Sequence, residues 1–452
     1  VVIIAWVNAA LLAILQAFFA LTYGQALLVT FGIMVLVALY ASFSGLLGVA
    51  ITDFVQFGIA MIGSIILAVV VLRLPQVGGL SGMQAQLPAW RFHFFPALQG
   101  WGDVAGGTFA LSAGAFFSYL ALQWWASWYP GNEPGGGGYI SQRMMSARNE
   151  KEAVYASLFF QIAHYALRPW PWIIVGLAAL LLYPDLAIED SRYGYVYAMR
   201  DHLPIGLKGL LLAAFLGAYM STISTQLNWG SSYLTNDLYR RFLRPESGFT
   251  GEEAAQRHYV KAGRWFTVII MLVALGVTTQ ITMIDKAAQF LIASGAGLGL
   301  VLILRWYWWR INAWSELTAS VAPFLGMALS SWVLRPYLPD AFYAQNGVFI
   351  FTVAFTTLLW LLATYLSPPE AEATLRDFYN RVRPGGWWGP FARVGAPSSR
   401  WLWVSWLSGT LFAYAILFAM GYALFGTWSL LLPWLLAGIL SGWTLRYAMR
   451  RL

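Results

Sequence analysis

The most concentrated polar chemistry in this chain lies in GAYMSTISTQLNWGSSYLTND, Gly217 to Asp237. Ser221, Thr222, Ser224 and Thr225 stand at i, i+1, i+3 and i+4, so a helix gathers their hydroxyls within about one turn. Hard oxygen donors packed this closely suit a small cation such as sodium. Ser and Thr in an apolar helix also serve tight helix packing, each hydroxyl bonding back to a backbone carbonyl. That second reading explains scattered hydroxyls well and a dense STIST cluster less well.

Three further places carry chemistry. In QWWASWYPGNEPGGGGYISQR, Gln123 to Arg143, two Pro and five Gly cannot continue a helix. A helix entering at Thr108 either unwinds near Pro130 or ends there in an ordinary loop. Membrane-depth backbone tolerates unwinding only where it is buried in protein or lines a cavity. Glu133 is a partner for Arg168, a cation contact or a solvated loop acid. Arg168 sits midway along the apolar stretch Ala153–Leu182, with His164 one turn earlier and Pro169 and Pro171 loosening the helix. An intramembrane charge faces protein or water; Arg168 either serves a functional site or ties down the freed carbonyls or a neighbouring helix. Asp53, in ITDFVQF, either satisfies helix N-terminal N–H groups or lines an ion path. The four His are scattered without an HExxH pattern, and Walker A and nucleophile-elbow contexts are missing, so no enzyme is expected.

The elements that must position these residues are membrane helices. Apolar residues make up 59% of the chain and charged residues 10%, and mean hydropathy is +0.63. A soluble chain of this length needs far more charge to cover its surface. Apolar runs recur beyond the roughly 18 residues of a spanning helix. The pattern predicts about twelve spans, among them Val1–Leu21, Phe54–Leu72, Thr108–Trp128, Ala153–Leu182, Leu207–Leu234 and Ala287–Leu304. The 24 Trp and 23 Tyr suit interface anchoring. The absence of Cys excludes disulfides and thiolate chemistry. With the N-terminus in the cytoplasm and alternating sides, inner segments hold 19 Lys/Arg and outer segments 7. That bias accounts for the net charge of +8 through the positive-inside rule rather than through nucleic-acid binding. The chain opens at VVIIAW inside an apolar stretch, without Met, basic n-region or cleavage site. It reads as a fragment lacking its upstream part rather than as a signal peptide.

Four motifs, in order, resemble the sodium:solute symporter family. SGLLGVAITDFVQF, Ser44 to Phe57, looks like the family's signature around its fourth and fifth core helices. GYISQRMMSARNEKEA, Gly138 to Ala153, resembles its loop after the sixth. AYMSTISTQLNWGSSYLTNDLYRR, Ala218 to Arg241, resembles its eighth core helix, and RWYWWRINAWSELTA, Arg305 to Ala319, its tenth-to-eleventh junction. The resemblance implies an all-α polytopic LeuT-type bundle of two inverted repeats, here lacking its first two core helices. It divides the chain into core helices three to five (1–73), an external loop (74–107), the second repeat (108–310) and peripheral helices (311–452) with a cytoplasmic loop at 367–400.

The same resemblance implies sodium-coupled symport of a small organic solute by alternating access. The solute class spans sugars, amino acids and carboxylates. The setting is the lipid bilayer of the plasma (inner) membrane, with both ends of this chain cytoplasmic. By the family pattern the main sodium site uses the Ala218 carbonyl and the Ser221 and Thr222 hydroxyls. A second site uses Ser221, Ser224, Thr225 and Asp53. Substrate contacts fall to Gln123, Trp124, Trp125, Ser127 and Trp128, with Arg168 and Gln289 beside them. The alternative is a membrane sensor of the same fold; the chain shows no soluble output domain.

Overall fold

The computed structural model describes residues 1–41, 46–94, 97–99, 110–127, 143–281, 290–391 and 400–451. It is almost wholly helical. The principal helices are α1 (Val2–Phe19), α2 (Tyr23–Ala41) and α3 (Leu46–Leu72). Next come α4 (Ala113–Phe117), α5 (Glu150–Gln161), α6 (Pro169–Leu182) and α7 (Gly194–His202). α8 (Ile205–Ser232), α9 (Glu252–Thr278), α10 (Leu298–Tyr307) and α11 (Ala313–Ala328) follow. The last are α12 (Gly347–Leu366), α13 (Glu372–Val382), α14 (Arg400–Leu424) and α15 (Trp428–Met449).

Among the described residues eight helical stretches are long and apolar enough to cross a membrane, and Tyr23–Leu39 and Leu298–Tyr307 are shorter apolar helices. Three of the long stretches, Asp53–Leu72, Glu150–Leu182 and Ile205–Leu243, contain the predicted spans Phe54–Leu72, Ala153–Leu182 and Leu207–Leu234. The span expected from Thr108 begins later. A short parallel strand pair, Ala97–Gln99 with Ala110–Ser112, precedes α4, and the Ser112 hydroxyl caps the helix by accepting from the Ala115 N–H.

The chain forms two compact units that interleave in sequence, Val1–Leu87 with Trp170–Ala288, and Pro88–Pro169 with Gln289–Leu452. In the first, α1, α2, α8 and α9 share a core of Ile4, Leu11, Leu12, Met34, Ile223, Leu227 and Ala274. α3 lies antiparallel along α8. A Cβ added at Gly217 would meet the Gln56 amide at 3.0 Å, and one at Gly63 would meet Leu211 at 2.9 Å. Small residues thus let the two helices approach closely, which is how helices pack where lipid competes with every apolar contact. Ser64 of α3, 1% exposed, accepts from both Trp172 Nε1 and the Tyr195 hydroxyl at 3.1 Å. At one end of this unit the Arg200 guanidinium donates to the Ala17 carbonyl in the last turn of α1, where a positive charge is favoured. Arg200 Nε and the Tyr183 hydroxyl both donate to the Asp201 carboxylate, at 2.7 and 2.8 Å.

In the second unit the predicted span Ala287–Leu304 is broken. A helical turn ends at Ser294, residues 295–297 form a turn, and α10 starts at Leu298. Gly297 has φ +94°, and a Cβ there would sit 2.7 Å from Thr356 of α12. The cytoplasm-assigned loop folds back through α13. Trp388, 3% exposed, packs with Leu375 and Tyr379 and donates its Nε1–H to the Trp306 carbonyl.

Two outcomes follow from this packing. Gly297→Ala must shift Thr356 and hold a left-handed backbone, so it lowers stability by about 2–3 kcal/mol, read as a drop in thermal midpoint in detergent. For Asp201, burial pushes the carboxyl up, but the Arg200 and Tyr183 hydrogen bonds outweigh it and hold it below its ordinary 3.8. A depressed carboxyl stabilises the fold fully above its unfolded value and loses that contribution as pH falls through the folded one. The thermal-midpoint difference between wild type and Asp201→Asn is therefore present at neutral pH and closes as pH falls below 3.8.

Candidate functional site

The predicted cation residues all lie in the first unit, on α3 and α8. α8 runs unbroken through the STIST cluster. On a helix, Gly217, Ser221 and Ser224 form one stripe, and Ala218, Thr222 and Thr225 the next. The first stripe faces α3. Gly217 seats the Gln56 side chain, and one turn on the Ser221 hydroxyl donates to Asp53 Oδ1 at 2.5 Å. Asp53 lies within α3, seven residues after its first residue, so it caps no helix N-terminus; its carboxylate serves α8 instead.

The other hydroxyls bond back along the helix. Thr222 Oγ1 donates to the Ala218 carbonyl at 3.1 Å, and Ser224 Oγ to the Ser221 carbonyl at 3.0 Å. Asp53 and Ser221 thus meet on the α3–α8 seam, with Thr222 and the Ala218 carbonyl on the adjacent stripe. Thr225 shares the second stripe at half burial. The hydroxyls of Thr222 and Ser224 show the back-bonding expected of packing residues, while the carboxylate that accepts from Ser221 comes from α3.

The opposite face of α8 holds a polar group that the sequence reading did not single out. The Tyr219 hydroxyl donates to Asn8 Oδ1 at 2.8 Å, and Asn8 Nδ2 donates to Thr278 Oγ1 at 3.0 Å and to Met34 Sδ at 3.3 Å. Asn8 is 0% exposed and Tyr219 4%. The signal was a lone amide within the apolar run VVIIAWVNAALL. Gln56 was missed likewise, one turn beyond Asp53.

The predicted substrate residues belong to the second unit. α4 continues through a π turn, Ser118–Gln123, into Trp124–Ala126, and the helix ends at Ser127. Trp128, Glu133, the stretch Pro130–Gly138 and Gln289 lie outside the described residues. Ser127, 1% exposed, donates to the Ile292 carbonyl at 2.9 Å, and the Ala126 carbonyl accepts from the Gly297 N–H at 2.9 Å. The end of this helix is therefore sewn to the break before α10. Trp125 packs with Phe349, Val353 and Ile292, and its Nε1–H is taken by the Ala121 carbonyl. Trp124 is 52% exposed and sits against Trp406 of α14 at 5.6 Å between rings. Gln123 is half-buried in the π turn.

Arg168 follows a π turn, Ile162–Leu167, and its Nη1 lies 2.8 Å from His164 Nδ1. A guanidinium only donates, so Nδ1 accepts and the His164 proton sits on Nε2. The same-face reading of the two residues holds.

Known proteins bear on this arrangement. The model of the sodium:solute symporter family matches residues 2–322. The osmoregulated proline transporter OpuE of Bacillus subtilis (strain 168) is 27% identical over 310 residues, 68% of this chain and 57% of that protein. The sodium/glucose cotransporter of Vibrio parahaemolyticus is 24% identical over 49% of this chain and 42% of its own length. A sodium/proline symporter of Staphylococcus aureus is 26% identical over 60% and 49%. The chain spans about half the length of the curated relatives it matches. A solved structure of a Na+-coupled sialic acid symporter, substrate-bound and outward-open, shares the fold with a TM-score of 0.54 and 16% identity, over 81% of this chain and 71% of that one. With the family pattern running from the first helix into α11, the chain belongs to the sodium:solute symporter family.

Proposed function

We propose that the protein to which this chain belongs carries out sodium-coupled symport of a small organic solute by alternating access. The observation that carries the reading is the Ser221–Asp53 contact, which brings a carboxylate to the STIST turn. In this reading the Ala218 carbonyl and the Ser221 and Thr222 hydroxyls hold one sodium, and Asp53, Ser221, Ser224 and Thr225 a second. Sodium is cargo here. Its positive charge is met by Asp53, and its hydration shell by oxygens that otherwise bond back along α8.

The solute belongs to the sugar, amino-acid or carboxylate class, in keeping with relatives named for proline, glucose and sialic acid. Gln123, Trp125, Ser127, Trp128, Gln289 and Arg168 contact it, and Trp124, its ring tilted against Trp406, contributes least. Residues 1–73 supply core helices three to five of the first repeat and 108–310 the second inverted repeat, with 311–452 peripheral. The protein resides in the plasma membrane with both ends of this chain cytoplasmic, as the Lys/Arg bias supports. One charge moving down 100 mV releases about 2.3 kcal/mol, enough for a roughly 50-fold solute gradient before the sodium gradient is counted.

The test titrates sodium against potassium at constant ionic strength while recording intrinsic Trp fluorescence of the purified full-length protein. Wild type gives a saturable, sodium-specific change. Ser221→Ala removes a ligand and Asp53→Asn removes the negative charge, and each raises the sodium midpoint by about 10-fold or more. A titration that both substitutions leave unchanged sinks the assignment.

A further inference from the structure

We infer that Asn8, acting through the Tyr219 hydroxyl, is the positioning residue for the cation-facing stripe of α8. The inference rests on the reading of that stripe as a sodium site. Tyr219 and Ser221 are two residues apart, so they leave the helix about 200° from each other. One points into the α1–α2–α9 core and the other toward Asp53. The rotation and height of α8 are thus gripped from opposite sides, by Tyr219–Asn8 at 2.8 Å and by Ser221–Asp53 at 2.5 Å.

The two grips are not equivalent. On the Asn8 side every partner is committed. Oδ1 accepts from Tyr219, Nδ2 donates to Thr278 and Met34, and Thr278 in turn donates to the Ala274 carbonyl. Asn8, Met34 and Thr278 are 0, 0 and 1% exposed. At that burial a displaced partner finds no bulk solvent to replace it, so breaking the network is costly. On the Ser221 side the hydroxyls are half-buried or bonded within their own helix, and they can exchange one acceptor for another.

The other contacts of α8 in this core are apolar, among them Leu216, Met220, Ile223 and Leu227, and they carry no hydrogen-bonding direction; toward α3, Gln56 seats at Gly217 and Leu211 at Gly63. The consequence is geometric. A side-chain oxygen about 5 Å from the helix axis moves about 0.9 Å for a 10° rotation, enough to take a hydroxyl out of coordination distance. The Asn8 amide therefore sets where the Ser221, Thr222 and Ser224 oxygens stand before any ion arrives.

Tyr219→Phe tests this because it removes one hydroxyl and keeps the ring. In the purified full-length protein, the sodium midpoint by Trp fluorescence rises about 5-fold or more, the scale of one hydrogen bond, and thermal stability in potassium falls. The double variant Asn8→Leu/Tyr219→Phe removes both polar partners. It recovers thermal stability while the sodium midpoint stays raised, a split that a purely structural role would not give. The inference is overturned if Tyr219→Phe lowers stability and leaves the sodium midpoint in place, or if the double variant restores both. Ser221→Ala, run alongside, separates the two levels. If it weakens sodium binding while Tyr219→Phe does not, only the positioning role falls. If Ser221→Ala has no effect, the sodium site falls and the positioning role with it.

Discussion

An amide inside a hydrocarbon layer has to find its hydrogen bonds within the protein, because lipid offers none. Asn8 meets that demand with three partners on three other helices, and the rest of the first unit is arranged around it. Thr278 is 270 residues away in sequence and Tyr219 is 211, so the amide ties together segments far apart in the chain. Apolar contacts bring α1, α2, α8 and α9 together, but in lipid such contacts are nearly as good with acyl chains as with each other. The polar network chooses one register among the many that apolar packing alone would tolerate. α8 then presents its small and hydroxylated side to α3, where Gly217 and Gly63 allow the approach that lets Asp53 reach Ser221.

The second unit solves a different problem. Its helices are interrupted, and each interruption frees backbone groups that need partners at membrane depth. The partners are supplied locally and in pairs. Ser127 and the Ala126 carbonyl tie the end of the Trp124–Ala126 turn to the break at 295–297. Gln345 Oε1 takes the Gly114 N–H at 2.6 Å, and Asn346 Nδ2 donates to Ser118 Oγ at 2.7 Å, so the start of that same helix is tied to the entrance of α12. Capping is also done by side chains at α11, where Asn312 and Ser315 close a reciprocal box. A regular helix bundle with one buried network holds the residues proposed for sodium, whereas irregular helix ends stitched by side chain-to-backbone bonds carry the described residues proposed for the solute.

Much of this was legible in the amino-acid order because it depends on local rules. Apolar run length announces a spanning helix wherever it occurs, and STIST places four hydroxyls within about one turn of any helix. The i, i+4 spacing of His164 and Arg168 places them on one face in any helix. The break before α10 escaped because SGAGLGL sits inside an apolar run and glycines are common in membrane helices; only the +94° angle at Gly297 shows that one of them turns the chain. Trp124 escaped for another reason. Its neighbour Trp406 comes from a helix nearly three hundred residues downstream, and nothing in QWWASW tells which Trp meets it.

By itself, then, the order of residues determined that the chain is a bundle of membrane helices, which stretch gathers oxygen donors, and where a carboxylate and an arginine stand among apolar neighbours. Tertiary structure alone decided that Asp53 belongs to Ser221 rather than to its own helix terminus, that Asn8 and Tyr219 grip α8 from behind, and that Trp124 faces α14 while Ser127 turns inward. The physical reason is that helices apolar all round carry no amphipathic stripe to mark an inner face. Their rotation is set by a few polar contacts between residues far apart in the chain, and those pairings exist only once the helices have packed.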